Sequence, residues 1–129
     1  HIAEKGDPDS LTRATELVSK ALEIKPNDGY YLDTLAWIFF RQGDFKRAEE
    51  LLSRAVNLVS DDLTIIEHYG DALVEIGAHE RALESYRGAV ERAQDQGENV
   101  DQEVLSRVRT KIRTLERSSR TTGSVPEAP

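Results

Sequence analysis

The chain has no cysteine, no methionine, one tryptophan and only four prolines in 129 residues. Without cysteine there is no disulfide, no thiolate nucleophile and no cysteine-bound zinc. The compartment stays open, because packed helices need no disulfide in reducing or oxidising surroundings. No apolar run approaches the roughly 20 residues that a membrane-spanning helix needs. No secretion signal is visible either. With His1 in first place and no methionine, we read the chain as a fragment or processed form. A missing signal then says nothing about the full product, which could be cytoplasmic or periplasmic. Positive charge is in short supply: the net charge is −7. That balance argues against nucleic acid or an anionic lipid surface as the main partner. Apolar residues make up 38% and charged residues 32%, which suits a thin layered core.

What the chain does have is a period. Shifting the sequence by 34 residues superposes Arg13, Arg47 and Arg81, and likewise Ala14, Ala48 and Ala82. Glu16, Glu50 and Glu84 coincide, as do Ala21, Ala55 and Ala89. Val18, Leu52 and Tyr86 coincide as large residues, and Gly43 pairs with Gly77. Repetition at this length marks stacked supersecondary units.

The unit reads as two helices. Pro26-Asn27-Asp28-Gly29 breaks the chain and offers a cap for a helix near Tyr30 to Arg41. Gly43 ends that helix in the left-handed conformation. Asp44 caps a second helix running to about Leu58. Ser60-Asp61-Asp62 opens the next unit, Gly77 divides it, and His79 to about Ala93 completes it. Ser10 to Ile24 is the second helix of an earlier unit, with His1 to Glu4 as the stump of its first. Small residues explain the pairing. Ala36 and Gly70 sit where paired helices cross, facing Ala48 and Ala82, and a single pair cannot bury its apolar face alone.

The run Leu35-Ala36, Phe39, Gly43-Asp44-Phe45, Ala48, Leu52, Ala55 is similar to the tetratricopeptide motif. So is Tyr69-Gly70, Leu73, Gly77, Ala82, Tyr86, Ala89, and Pro26 falls at the motif's closing proline. Ser60 departs from that proline, and Leu32 and Ile66 stand where tryptophan is common. The resemblance covers residues 9 to 96. It implies an all-α, right-handed superhelical stack of antiparallel helix pairs, whose job is to hold a protein or peptide. More loosely, Gly29-Tyr30-Tyr31-Leu32-Asp33 and Glu67-His68-Tyr69-Gly70-Asp71 look like bacterial repeat proteins that are often exported or lipid-anchored. The expected organisation is a partial unit over 1–28, units over 29–62 and 63–96, a capping helix over 97–117 and a disordered tail over 118–129.

The capping helix is read from Val100, Val104, Leu105, Val108, Ile112 and Leu115, spaced by threes and fours. Asp101 is its cap. Its outer face is expected to carry Arg107, Arg109, Lys111, Arg113 and Arg117. That face is either solvated or a basic docking surface.

In the resembling family the first helix of each unit lines a concave groove. Tyr30, Trp37 and Phe40 form a second apolar stripe on that helix, with Asp33 and Arg41 beside it. The stripe is either core, with Trp37 against the preceding unit, or an aromatic floor for a partner. The matching face of the next unit offers Glu67, His68 and Asp71. Tyr30, Asp33, Trp37, Phe40, Arg41, Glu67, His68 and Asp71 are therefore the candidate contacts. They suit a peptide with an apolar anchor and basic flanks. Family members that clamp chaperone C-terminal carboxylates place lysine and asparagine on this face. The acidic set here disfavours an acidic tail. Glu67, His68 and Asp71 lack the ligand count of a closed metal site, and no phosphate loop or nucleophile motif appears. No cofactor and no catalysis are expected. The alternative role is self-association through exposed repeat ends.

Overall fold

Aspartate caps most of the described helices, and a glycine with positive φ follows three of them. The structure, a computed structural model, describes residues 8–124, with side chains over 9–118. Its helices are α1 (Pro8–Ile24), α2 (Gly29–Arg41), α3 (Phe45–Leu58), α4 (Leu63–Glu75), α5 (His79–Gln96) and α6 (Gln102–Ser124). A short 3-10 turn over Gly97–Asn99 leads into α6. The Asp28 carboxylate accepts from the N–H groups of Tyr30 and Tyr31 at 3.0 and 3.1 Å. Asp44, Asp62 and Asp101 cap α3, α4 and α6 in the same way. Each satisfies donors that the first helical turn leaves unpaired. Gly43 and Gly77 follow α2 and α4 with φ of +86° and +84°, which a side chain would strain.

Helix α2 pairs with α3 and α4 with α5, while α1 packs on α2, α3 on α4, and α5 on α6. The backbones of the first helices α2, α4 and α6 also approach in succession, whereas those of the second helices α3 and α5 stay apart and are bridged by side chains such as the Arg81–Glu49 pair at 3.5 Å. The stack therefore curves with α2, α4 and α6 on its inner side. Ala36, Ala48 and Ala82 are fully buried at the crossings, as expected from the period. Leu32, Leu52 and Ile65 fill one core cluster; Leu73, Tyr86 and Val108 anchor the next.

Helix α6 stands in the place of a third unit's first helix. Counted from the capping aspartates, Leu105, Val108 and Ile112 occupy the positions of Ile66, Tyr69 and Leu73. Asp62 and Asp101 are 39 residues apart, five more than the 34-residue period, because α5 is four residues longer than α3 and the connector one residue longer, so that period misses the equivalence. Two positions set it apart from α2 and α4. Where α2 and α4 place Ala36 and Gly70 for close approach, α6 places Arg109. Where they end at glycine, α6 has Glu116, which accepts from Arg87 at 2.7 Å. With no glycine there and no proline before Pro126, the helix runs to Ser124. The tail expected from residue 118 is thus helical in its first part, and 125–129 lie outside the described residues. So does the stump expected at His1 to Glu4.

Candidate functional site: the inner face

Trp37 and Phe40 lie three residues apart on α2, which puts them on one helix face. Their rings stack at 4.7 Å with an interplanar angle of 11°. Trp37 also stacks on His68 of α4 at 4.3 Å and 19°. Phe45, at the start of α3, meets Phe40 edge-on at 5.0 Å. The His68 Nδ1–H donates to Asp33 Oδ1 at 2.7 Å. Trp37 thus packs against the following unit. The core reading that placed it against the preceding unit is corrected.

The acidic half of the face is organised by α6. Arg107 donates to both Glu67 oxygens through Nε at 3.0 Å and Nη2 at 2.9 Å. Lys111 Nζ donates to Glu67 at 2.7 Å and to both oxygens of Asp71 at 2.9 and 3.1 Å. The Tyr86 hydroxyl donates to Asp71. A rule links the units: the fifth residue after one cap is a carboxylate that takes a hydrogen bond from the sixth after the next. It holds for Asp33 with His68 and for Glu67 with Arg107. Burial alone would raise the Glu67 carboxyl, but the Arg107 and Lys111 donors outweigh it and hold it below 4.5. Burial likewise pulls the Lys111 ammonium down, and Glu67 and Asp71 together push it above its usual value. The Tyr86 phenol is pushed well up by burial and by the Asp71 carboxylate.

Two expectations are corrected here. Arg107 and Lys111 turn inward from α6 instead of standing on its outer face. Glu67 is only 2% exposed, so it is a structural anion beneath α6 and not a contact for a partner. Trp37, Phe40, Asp33 and His68 come together as one patch. Asp71 borders it across a cleft of about 270 Å³ lined by Phe40, Val74, Tyr86, Glu75, Lys111 and Thr114. Tyr30 is 56% exposed, two turns before Trp37 on the same stripe. Arg41 is exposed at the end of α2. Phe45, Lys111 and Thr114 were not foreseen in the site. Counting α6 from Asp101 brings Lys111 and Thr114 to this face; Phe45 needs the geometry of the α2–α3 turn. Among the described residues no group of three or more His, Asp or Glu is placed to hold a metal. None of their helices is long and apolar enough to cross a membrane.

The fold is similar to solved tetratricopeptide domains. The Sgt2 TPR domain from Aspergillus fumigatus superposes with a TM-score of 0.75 at 21% identity, over 94% of this chain and 76% of that one. The first TPR of Spaghetti (RPAP3), bound to the HSP90 peptide SRMEEVD, gives 0.72 at 18%, over 87% and 82%. PcrH in complex with the chaperone binding region of PopD gives 0.76 at 13%, over 86% and 82%. No curated protein matches the sequence. Residues 8–89 match the family model described as "Anaphase-promoting complex, cyclosome, subunit 3". With that match over more than half its length, and with helix pairs, crossing alanines and stopping glycines in the repeat's places, the chain belongs to this family of tetratricopeptide repeats.

Proposed function

We propose that the inner face holds a segment of another protein, with an apolar side chain in the cleft beside Phe40 and a basic residue next to it. The observation that carries this reading is the Trp37 ring. It stays partly exposed and is braced by two other rings instead of being sunk in the core. Pre-stacked aromatics lose little freedom on binding, which favours them as anchors. Glu75 at the cleft rim is exposed and has no ion-pair partner among the described residues, so it is open to a cation. The neighbours bound to an HSP90 peptide and to a region of PopD support a general interaction role. An acidic ligand such as SRMEEVD fits less well. Asp71 and Glu75 flank the cleft, and Lys111 is already committed to Glu67 and Asp71.

A Trp37→Ala/Phe40→Ala variant should stay helical by circular dichroism and lose partner capture from the native host. Titrating the captured partner into the unchanged chain should shift the emission of Trp37, its only tryptophan. Unfolding of the double variant would make those rings core and defeat the reading. A second reading, self-association through the stack's ends, is favoured by Leu17 and Ile24, which are 64% and 79% exposed on α1. Light scattering that shows a monomer at every concentration would remove it.

A further inference from the structure

Val90 and Ile112 stand where Val56 and Leu73 stand one unit earlier. Val56 and Leu73 pack under α5, and Leu73 is 1% exposed. Val90 and Ile112 pack on the same core from below, and their outer sides line a cleft of about 410 Å³ along α5 and α6. The cleft is therefore the place that a second helix fills in both complete units, and no helix among the described residues covers it in the third. Such a place is shaped for a helix lying along α6 with an apolar stripe facing Val90 and Ile112.

The rim decides which helix. Arg87, Arg109 and Arg113 surround the cleft, with Glu91 the one acid. Arg87 is held by Glu116, and Arg113 donates only to the Thr110 hydroxyl. Arg109 is exposed and has no carboxylate partner among the described residues. It also occupies the position where complete units have alanine or glycine. A helix like the chain's own α3 or α5, which needs that close approach, is kept out. We propose that this cleft takes an acidic amphipathic helix of a partner protein, with glutamate or aspartate reaching Arg109 and Arg113. Guanidinium forks favour carboxylates at such a site.

The probe is a pair of labelled synthetic helical peptides sharing one leucine stripe, flanked by glutamates in one and lysines in the other. The full chain should bind the glutamate peptide in an anisotropy titration, more weakly as salt is raised, and should not bind the lysine peptide. Arg109→Glu/Arg113→Glu should weaken the glutamate peptide at least tenfold. Both arginines are exposed, so the fold should survive; Arg109→Gln/Arg113→Gln should show a smaller loss of the same sign. Trp37→Ala/Phe40→Ala should leave this binding intact, which separates it from the inner-face reading. Equal binding of both peptides, or indifference to the arginine changes, would overturn the proposal. So would loss in the Trp37/Phe40 variant, which would put the peptide on the inner face. A chain that self-associates until Arg109 is reversed would show that a second copy fills the cleft.

Discussion

Replacing Arg107 and Lys111 together with methionine should destabilise the protein by about 3–5 kcal/mol at neutral pH, the usual cost of leaving a buried charge without its partners. Methionine keeps most of the unbranched apolar stem, so lost packing contributes little beside the lost charges. The cost falls on Glu67, which is 2% exposed and takes its three cationic hydrogen bonds from these two residues. Hydrogen exchange should locate the loss in α6, whose amides would open before those of α2 and α3. The pH dependence gives a sharper reading, because its sign should reverse. In the unchanged chain the Glu67 carboxyl lies below its unfolded value of 4.5. Its contribution is therefore complete above that value and is lost as the pH falls through the folded-state value. In the double variant, burial acts without the cations and pushes the same carboxyl above 4.5. Glu67 then binds a proton more readily folded than unfolded, so its penalty shrinks as the pH falls toward 4.5. Chemical denaturation at pH 7 and pH 5 should show the variant recovering part of its deficit at pH 5. A deficit under 1 kcal/mol at pH 7, or one that does not change between the two, would mean that Glu67 is not the anion α6 rests on.

The repeat and its helices were legible because they depend on residue types at fixed spacing. Alanine at the crossings, aspartate before helices and glycine after them each act within a few residues, and the 34-residue shift aligned them. Helix α6 broke that alignment. The longer α5 and connector before it moved Arg107 and Lys111 five residues out of register, so they counted as surface charge. Nothing local shows that an arginine will reach Glu67, forty residues earlier. The inner face was half legible for a related reason. Trp37, Phe40, Asp33 and His68 were each on the correct helix stripe, but the stacking of His68 on Trp37 is set by the separation of α2 and α4. That separation comes from the core on their other sides, from Leu32, Ala36 and Ile65, and not from the face itself. The inward turn of Glu67 has the same origin.

The close approach of α4 and α5 makes the second strong prediction, at Gly70. Alanine is the better helix former by about 1 kcal/mol, so propensity alone would make Gly70→Ala stabilising. Packing opposes it. A Cβ at this position would land on the Tyr86 ring, within 2.8 Å of Cδ1 and of Cζ. The ring cannot swing aside cheaply. Tyr86 is 2% exposed, belongs to the cluster with Leu73, Ala82 and Ala89, and its hydroxyl is fixed by Asp71. Packing should win, with Gly70→Ala destabilising by about 1–2 kcal/mol and Gly70→Leu by about 3 kcal/mol, the upper part of the range for overfilled cores. Gly88 is the control, since a Cβ there meets nothing within 4 Å, and Gly88→Ala should gain most of the propensity difference. Putting Gly70→Ala into a Tyr86→Leu background should remove most of its cost, because the leucine is shorter than the ring it replaces. If Gly70→Ala raises the midpoint of urea denaturation as Gly88→Ala does, the ring has room to move, and the small residues at these crossings are not what sets the distance between paired helices.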